Sequence, residues 1–474
     1  MSRINTNVGA LTAQRGLNKT QKTLDETLQR LSTGLRINRG ADDPAGLIAS
    51  EGLRSEISGI STAISNSQRA SNVIATTEGA LNEVASLLLN VKNLIVEAAN
   101  SGALSKDEIA ANQLQADSAI ESITRISNTA TFAGLKLLNG QLDYVTSGVA
   151  KSSIQALRIN QANFGRNEFL PVDVQVITSA QQAQLQYPTS AIGSSIRIEV
   201  TGVNGVDVLQ FVSGATASSI AFAVNRLSDS TGVTAGFINS ANPTSGIAFK
   251  STGWGSSEFI SVRTIAGSFA TTTSTGASAD RAIGRDVVAT VNGALTNGNG
   301  LTIELNTNTL DLELTLSETF GAASTGFAVT GGGSLFQLGP QVISNQQINI
   351  GIQSIAASKL GNDGVGFLSD VQKGGVASLD RDPSSASRII ETAIRQVSVL
   401  RGRLGAFERN TLETNVNSLS VALENVTASE SSIRDADFAK ETAALTRAQI
   451  LTQAGTSVLA TANSTPQSVL SLLQ

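Results

Sequence analysis

The sequence predicts a mainly α stem, built from long helices at both ends of the chain, that carries an inserted β-rich (α+β) region in its middle. Three observations lead to this fold class. Apolar residues near both ends follow a heptad spacing, which is typical of long packed helices. Residues in the middle alternate between apolar and polar with a period of two. Residues 132–367 hold sixteen of the eighteen aromatic side chains, whereas residues 1–131 hold none, so the ends and the middle have different cores.

The first long helix is predicted over residues 47–100. Its apolar residues recur in alternating steps of three and four, with Ser67 and Ser71 as a polar interruption. The apolar members are Leu53, Ile57, Ile60, Ile64, Ile74, Leu81, Val84, Leu88, Val91 and Ile95. At 1.5 Å per residue such a helix would be roughly 80 Å long, and it therefore needs partners along its whole length. A second, shorter helical segment is predicted to follow, with the apolar residues Ile109, Leu114, Ile120, Ile123 and Ile126.

The same spacing returns near the other end, where a second long helical segment is predicted. Its opening residues, DRDPSS, contain the acidic side chains and the proline that favour a helix start. Its apolar stripe is Ile389, Ala393, Val397, Leu400, Leu404, Phe407, Leu412, Val416, Leu419, Leu423, Val426 and Ile433. Neither long helix can bury its stripe alone, so the two chain ends are predicted to pack together as an antiparallel bundle.

The middle region is predicted to contain strands and hairpins. Leu310, Leu312, Leu314 and Leu316 alternate with polar residues, as in a half-buried strand. Asn-Gly pairs at 204, 292, 297 and 299 favour hairpin turns, because both residues tolerate positive φ. We also predict a helix over 217–227 and a hairpin that pairs 247–250 with 259–263. Breaks near 171–190 and 239–246 favour two subdomains within 141–345.

Composition excludes several function classes. The chain has no Cys and no His, which rules out disulfides, Ser-His-Asp triads and His-bearing zinc sites. The net charge of −5 argues against nucleic-acid binding, and no apolar run is long enough to span a membrane. Asp42 and Asp43, beside Pro44, are interpreted as caps of backbone amides and not as metal ligands. We therefore expect no catalytic residues, no cofactor and no metal.

The extreme ends carry apolar residues with too little chain around them to form a core. Residues 1–35 are amphipathic, and the segment from Ala448 onward contains no charged side chain. The residues predicted to be buried by neighbouring copies are Ile4, Val8, Leu11, Leu17, Leu24, Leu28, Leu31, Leu35, Phe438, Leu445, Ile450, Leu459, Leu470 and Leu473. Identical subunits joined head to tail by a rotation that does not close form a helical filament, and the chain is predicted to be its own partner in such a homopolymer.

The two ends also resemble bacterial flagellin. The resemblance lies in MSRINTNVGALTAQRGLNKTQ, in QRLSTGLRINRGADDPAGLIASEGLRSEI and in SSIRDADFAKETAALTRAQILTQAGTSVLATANSTPQSVLSLL, and it covers about 1–139 and 380–474. It implies a structural, non-enzymatic subunit of the flagellar filament that is exported unfolded through a type III apparatus and assembles outside the cell for swimming motility.

The resemblance also implies a division of the chain into three parts. Residues 1–45 and 431–474 would form an inner coiled coil, 46–140 and 346–430 a rod-like helical bundle, and 141–345 the outer insertion. The helices of the bundle would be 47–100, 105–130 and 384–430. Five polar residues of the connector between the inner and outer helical layers would make contacts between subunits: Arg36, Asn38, Arg39, Asp42 and Asp43.

Expected partners, beyond further copies of the chain, are an export chaperone, the filament cap and the hook-associated junction proteins. Many flagellins present an Arg to innate-immune receptors, but this chain has Asn90 at the corresponding place, which argues against such recognition because an amide cannot replace a guanidinium fork. Two alternatives remain open at this stage: a hook-filament junction protein and an adhesin-bearing filament protein.

Overall fold

The computed structural model describes residues 6–165, 167–307 and 309–471, except for the side chains of 466–471. Long helices lie towards both ends of this part of the chain, and strands occupy its middle. In chain order the helices are α1 (Val8–Thr33), α2 (Pro44–Ala98), α3 (Lys106–Thr129), α4 (Ala217–Asn225), α5 (Ser228–Thr231), α6 (Pro383–Phe407), α7 (Thr414–Arg434) and α8 (Phe438–Ser471). The predicted fold class, a helical stem from both chain ends with a β-rich insertion, is confirmed.

Side-chain oxygen atoms cap the N-termini of several of these helices, where the first backbone amides have no acceptor within the helix. Ser105 and Glu108 form a reciprocal capping box at α3. At α6 the Asp382 carboxylate accepts a hydrogen bond from the Ser385 amide at 3.1 Å, and Pro383 is the first helical residue. The helix start predicted from DRDPSS is therefore confirmed.

A π-helix at Glu408–Glu413 separates α6 from α7. The sequence predicted one continuous helix over 384–430, and this prediction is wrong at that point. The reason lies in the apolar spacing, because Phe407 and Leu412 are five residues apart where the stripe elsewhere steps by three or four. A π-turn, with its i to i+5 hydrogen bonds, accommodates a step of five.

The described chain divides into two compact units, which we name for their place in the sequence. The terminal unit comprises the chain up to Arg69, the segment Gln337–Val342 and the chain from Asn410 onward. The central unit comprises Ala70–Phe336 and Ile343–Arg409.

In the central unit, α3, α6 and the later part of α2 bury the predicted stripes. Ion pairs join α2 to α6 between Lys92 and Glu391 at 3.2 Å and between Glu78 and Arg401 at 3.7 Å, so the two helices run antiparallel. The fully buried residues of these helices include Ile74, Leu81, Val84, Leu88, Val91, Ile95, Ile120, Ile123, Ile389, Val397 and Leu404. The predicted antiparallel packing of the two chain ends is confirmed here.

The strands of the central unit are mostly short. In chain order they are β1 (Thr131–Phe132), β2 (Leu135–Lys136), β3 (Tyr144–Ser147), β4 (Ile154–Ala162), β5 (Leu170–Thr178), β6 (Gln184–Tyr187), β7 (Ile196–Thr201), β8 (Val206–Phe211), β9 (Val233–Asn239), β10 (Asn242–Ser251), β11 (Phe259–Ala266), β12 (Arg281–Ile283), β13 (Val288–Val291), β14 (Ala294–Leu295), β15 (Asn297–Asn299), β16 (Thr302–Asn306), β17 (Leu310–Leu316), β18 (Ser324–Gly332), β19 (Ser334–Gln337), β20 (Gln347–Ile350), β21 (Gly361–Asn362) and β22 (Gly366–Phe367).

Two larger sheets share one hydrophobic core. Their strand orders are β14-β13-β5-β18-β3 and β15-β16-β17-β4-β20-β19. In β17 the four leucines from Leu310 to Leu316 are buried and the residues between them are half-buried, as the alternation predicted. Val174, Ile303 and Val329 are fully buried in the same core.

A second core lies between the sheets β6-β10-β9 and β12-β11-β7-β8, with α4 packed beside them. The predicted order of strand, turn, strand, helix and strand over β7 to β9 is confirmed. The predicted hairpin of 247–250 with 259–263 is wrong, because β10 pairs with β6 and β9 whereas β11 pairs with β7 and β12. Both segments have the composition of strands, and partners distant in the sequence decide which sheet each one joins.

Three of the four predicted Asn-Gly turns connect strands. Asn292 adopts φ 49° and Gly293 φ 80° between β13 and β14, and the pair at 204 joins β7 to β8. At the pair that begins at 299, Asn299 is the last residue of β15 and Gly300, with φ 59°, starts the turn to β16. The turn predicted at 297 is wrong, since Asn297 and Gly298 lie within β15. Gly298 allows its backbone to pack directly against the Val287 carbonyl oxygen, which a Cβ at this position would overlap.

Candidate subunit-assembly surface

The first and last helices of the terminal unit, α1 and α8, pair antiparallel. The Asn7 amide donates to the Ala462 carbonyl at 2.7 Å near one end, and the Arg30 guanidinium lies 3.3 Å from the Glu441 carboxylate near the other. Between them the helices approach closely at Gly455, where a Cβ would lie 3.3 Å from Leu17 Cδ1. The two chain ends therefore contact each other along most of their described length.

This helix pair buries few side chains of its own. Among the described residues of α1 only Thr27 is buried, and in the described part of α8 the buried residues are Glu441 and Ala448. Two of these three side chains are polar. Because burial of apolar surface supplies most of the stability of packed helices, the pair on its own has only a thin core.

Large apolar side chains of the pair remain in contact with solvent. They are between 47% and 61% exposed, and they are Val8, Leu11, Leu28, Phe438, Ile450, Leu451 and Val458. Another group from the prediction is half-buried: Leu17, Leu24, Leu31, Leu35, Leu445 and Leu459. Ile4 and Leu473 lie outside the described residues, and the side chain of Leu470 is not described either.

The same exposure continues on the other helices of the terminal unit. Ile48, near the start of α2, is 76% exposed, and Val421 on α7 is 59% exposed. None of the described α7 side chains is buried. Exposed large apolar side chains thus occur on four helices of this unit, α1, α2, α7 and α8.

The connector from α1 to α2 is held against the start of α8. Gly34 ends α1 with φ 74°, and its carbonyl accepts a hydrogen bond from the Ala436 amide at 2.9 Å. The Arg36 amide donates to the Arg434 carbonyl at 2.7 Å, and the Arg36 guanidinium donates to the Ile433 carbonyl. Backbone groups from both ends of the chain thus lock the connector in place.

The remaining polar connector residues make hydrogen bonds within the chain. The Asp42 carboxylate accepts from the amides of Arg39 at 2.9 Å and Asn38 at 3.0 Å, and these bonds lower the pKa of Asp42 below its usual value. The Arg39 guanidinium donates to the Gln29 side chain at 2.6 Å. The capping role predicted for Asp42 is confirmed by these contacts.

Asp43 and Asn38 also make hydrogen bonds within the connector. The connector contains one buried residue, Ile37, that sequence reasoning missed. Asp43 caps α2 by accepting from the Gly46 amide at 2.9 Å, and Asn38 donates to the Leu35 carbonyl at 2.9 Å. Ile37 is 1% exposed, so it anchors this loop from within. An isolated apolar residue among charged neighbours was the available signal for it.

Neither a membrane span nor a metal centre is found in the described chain. Across the described residues, no helix combines the length and the apolarity that a bilayer crossing requires. In the same residues, no three side chains of the metal-binding types come together. The candidate functional site is the exposed apolar surface of the α1 and α8 pair, because seven large side chains there are about half exposed.

Comparison with known proteins points to one family. The model of the bacterial flagellin N-terminal helical region matches residues 4–143, and that of the C-terminal helical region matches residues 387–473. A flagellin of Salmonella rubislaw is 30% identical and a flagellin A of Vibrio anguillarum is 29% identical, each alignment covering 99% of both chains. A B-type flagellin of Pseudomonas aeruginosa is 30% identical over the same shares.

Similarity to solved structures is much lower. FliC from Burkholderia pseudomallei matches with a TM-score of 0.25 and 15% identity, over 73% of this chain and 99% of that one. The junction protein FlgL from Legionella pneumophila matches with a TM-score of 0.28 and 12% identity, over 81% of this chain and 99% of that one.

Proposed function

The chain belongs to the bacterial flagellin family, and on that premise we propose that the exposed apolar surface of its terminal unit is where its copies join. Flagellins are structural proteins of the flagellar filament, so the chain is a filament subunit that serves motility and is not an enzyme. The hook-junction alternative is not favoured, because flagellins match the chain over nearly its whole length.

One observation carries the proposal on assembly. The paired helices α1 and α8 leave seven described large apolar side chains about half exposed, and these residues lie at both ends of the chain. Their apolar area is removed from water only when another molecule covers it. In a homopolymer that molecule is a further copy, added head to tail without closure.

We assign the interface residues in two groups. The apolar group is Ile4, Val8, Leu11, Leu17, Leu24, Leu28, Leu31, Leu35, Phe438, Leu445, Ile450, Leu459, Leu470 and Leu473. The polar group is Arg36, Asn38, Arg39, Asp42 and Asp43. Support for the polar group comes from the connector, whose hydrogen bonds within the chain hold these side chains at the surface of the unit.

We further propose three structural layers within the filament. Residues 1–45 and 431–474 form the inner coiled coil, 46–140 and 346–430 the rod-like bundle, and 141–345 the outer insertion with two subdomains. The two separate hydrophobic cores of the β region support the division of the insertion. An adhesive role of that insertion is compatible with filament building.

Secretion and the further partners follow from the same premise. We propose that the chain is exported unfolded by the type III apparatus, binds an export chaperone beforehand, and meets the filament cap and the hook-associated junction proteins outside the cell. Asn90 is exposed on α2, but its amide cannot replace a guanidinium group, and this argues against recognition by innate-immune receptors.

Seeded polymerisation tests the central proposal. Purified full-length chain is mixed with sheared filaments of the same protein, and growth is followed by electron microscopy and by sedimentation. We expect the seeds to elongate until a fixed concentration of monomer remains. A chain that stays monomeric at high concentration in the presence of seeds contradicts the proposal.

A further inference from the structure

A polar residue interrupts the apolar stripe of α2 inside the terminal unit. Ser67 is fully buried and donates a hydrogen bond to the Ala63 carbonyl of its own helix at 2.9 Å. The stripe residue two turns earlier, Ile60, is buried and apolar. Ser67 therefore presents an oxygen where the heptad pattern otherwise presents hydrocarbon.

The partner of this oxygen is Asn415 on α7. The Asn415 amide donates to Ser67 Oγ at 3.0 Å and also to the Leu338 carbonyl at 2.9 Å. Leu338, which is 5% exposed, belongs to the return segment Gln337–Val342 of the same unit. One side-chain amide thus joins α2, α7 and the return segment.

Close packing holds the return segment at this level. A Cβ on Gly59 of α2 would lie 2.9 Å from Pro340 Cβ, so the segment passes directly over the helix. Any side chain at position 59 would push the return segment away from α2. The Leu338 carbonyl is consequently held at a defined height along α2.

Apolar stripes alone do not select one alignment of two helices. If α7 slid by one turn along α2, apolar residues such as Val416 and Leu419 would still meet apolar residues of the α2 stripe. The Asn415 amide would then lose both acceptors, and an unsatisfied polar group inside a helix pair is costly. Asn415 itself is half-buried, but both of its acceptors belong to buried residues, Ser67 and Leu338. In coiled coils a single polar residue at such a contact selects the register, at some expense of stability.

The register of α7 affects the position of the chain end that follows it. At the far end of α7, Arg434 pairs with Glu51 of α2 at 3.0 Å, and its carbonyl accepts from the Arg36 amide. Next in the chain come the connector contacts and then α8. A shift of α7 by one turn, about 5.4 Å, would break both contacts and displace α8 along α1.

We propose that Asn415 is a positioning residue that sets the register of α7 against α2 and thereby the axial position of the α1 and α8 helix pair. Only the consequence for assembly rests on the proposed function. That consequence is that every subunit presents its assembly surface at the same position along the helix axis. The register itself is a property of the single chain.

The test measures register in the full-length monomer. Because the chain lacks cysteine, spin labels can be placed at exposed positions through Glu56→Cys on α2 and Glu424→Cys on α7. The variant is Asn415→Leu, and the matched control is Asn417→Leu, which makes the same change at an exposed position of the same helix. Distances between the labels are read by pulsed electron spin resonance.

We expect one narrow distance population for the unsubstituted chain and for Asn417→Leu, and a second population for Asn415→Leu displaced by about one helical turn. One unchanged population in Asn415→Leu, or a broad distribution in the unsubstituted chain, overturns the inference. If Asn415→Leu loses helical content, Ser67→Ala replaces it, and a single unchanged population in that variant likewise overturns the inference.

The result is separable from that of seeded polymerisation. Two populations in Asn415→Leu support the register role even if the unsubstituted chain fails to extend seeds, in which case the proposed assembly alone is wrong. In seeded growth we expect Asn415→Leu to add to seeds at less than about a tenth of the rate of Asn417→Leu. Equal rates for the two variants contradict the consequence for assembly.

Discussion

Leu28 offers a direct test of whether the apolar surface of α1 is covered by other copies. Its side chain is 47% exposed, so a lysine at this position can extend its ammonium group into water in the single chain. Leu31 on the same helix is half-buried within the chain, and a charge there would disturb the α1 and α8 pairing as well. We therefore expect Leu28→Lys to leave the monomer folded and to block its addition to seeds.

The size of the effect follows from burial and charge. Complete burial of a leucine stabilises by about 1.5–3 kcal/mol, so the half that is still exposed at Leu28 is worth about 1 kcal/mol per added copy. A lysine at a covered site adds the desolvation of an ammonium ion, which costs several kcal/mol. Since about 1.4 kcal/mol corresponds to a factor of ten, the monomer concentration left at the end of growth should rise at least about a hundredfold.

The assay is the concentration of monomer that remains in the supernatant after seeded growth. The matched control is Asn18→Lys, which makes the same change of charge on an exposed polar residue of α1 beside Lys19. We expect the control to change the residual concentration less than about threefold. The reasoning is refuted if Leu28→Lys and the unsubstituted chain leave equal residual monomer, or if Leu28→Lys alone loses the helical circular dichroism of the monomer.

Two further predictions concern the rest of the fold. Replacing 145–332 by a short Gly-Ser linker, which keeps the return segment Gln337–Val342, should preserve the helical circular dichroism and seeded growth. The incoming and outgoing chains already meet there, since the Gly333 amide donates to the Asp143 carbonyl at 3.3 Å, and loss of the helical signal would contradict this prediction. The Asp382 carboxylate accepts hydrogen bonds from the Ser385 side chain, from Ser384 and from the Ser385 amide, which lower its pKa from 3.8 to about 2. Because its folded pKa is depressed, its contribution to stability is present above about pH 4 and is lost as the pH falls towards 2. Urea unfolding between pH 2 and 4 should therefore depend less on pH in Asp382→Asn, and equal slopes in the two proteins would contradict that assignment.

Features that depend on neighbours in the sequence could be predicted from it. The helix start at Asp382, the alternation from Leu310 to Leu316 and the turn at Asn292 all follow from local geometry and local hydrogen bonding, and the structure has each of them. The exposure of apolar residues near both chain ends was also predicted, because heptad-spaced residues such as Leu11 occur there with too little chain around them to form a core. The burial of Ile37 in the connector was not predicted, because one apolar residue among polar neighbours has no periodic pattern to reveal it.

Pairing between distant segments could not be read from the residues. The strands β10 and β11 have equally suitable compositions for pairing with each other, yet each pairs with other strands. Gly298 resembles a turn residue in the sequence but serves close packing against Val287. In both cases the competing arrangements differ only in contacts made across long stretches of chain.

By itself, the sequence determined that both ends are helical, that the middle is β-rich and that no histidine or cysteine chemistry is possible, since periodicity and composition are local properties. The tertiary structure decided which strands share a sheet, how Asn415 meets Ser67, and which apolar residues of the paired terminal helices stay in water. These depend on the free energy of the whole packed chain, in which many near-equivalent apolar contacts are distinguished by a few polar groups that must find partners.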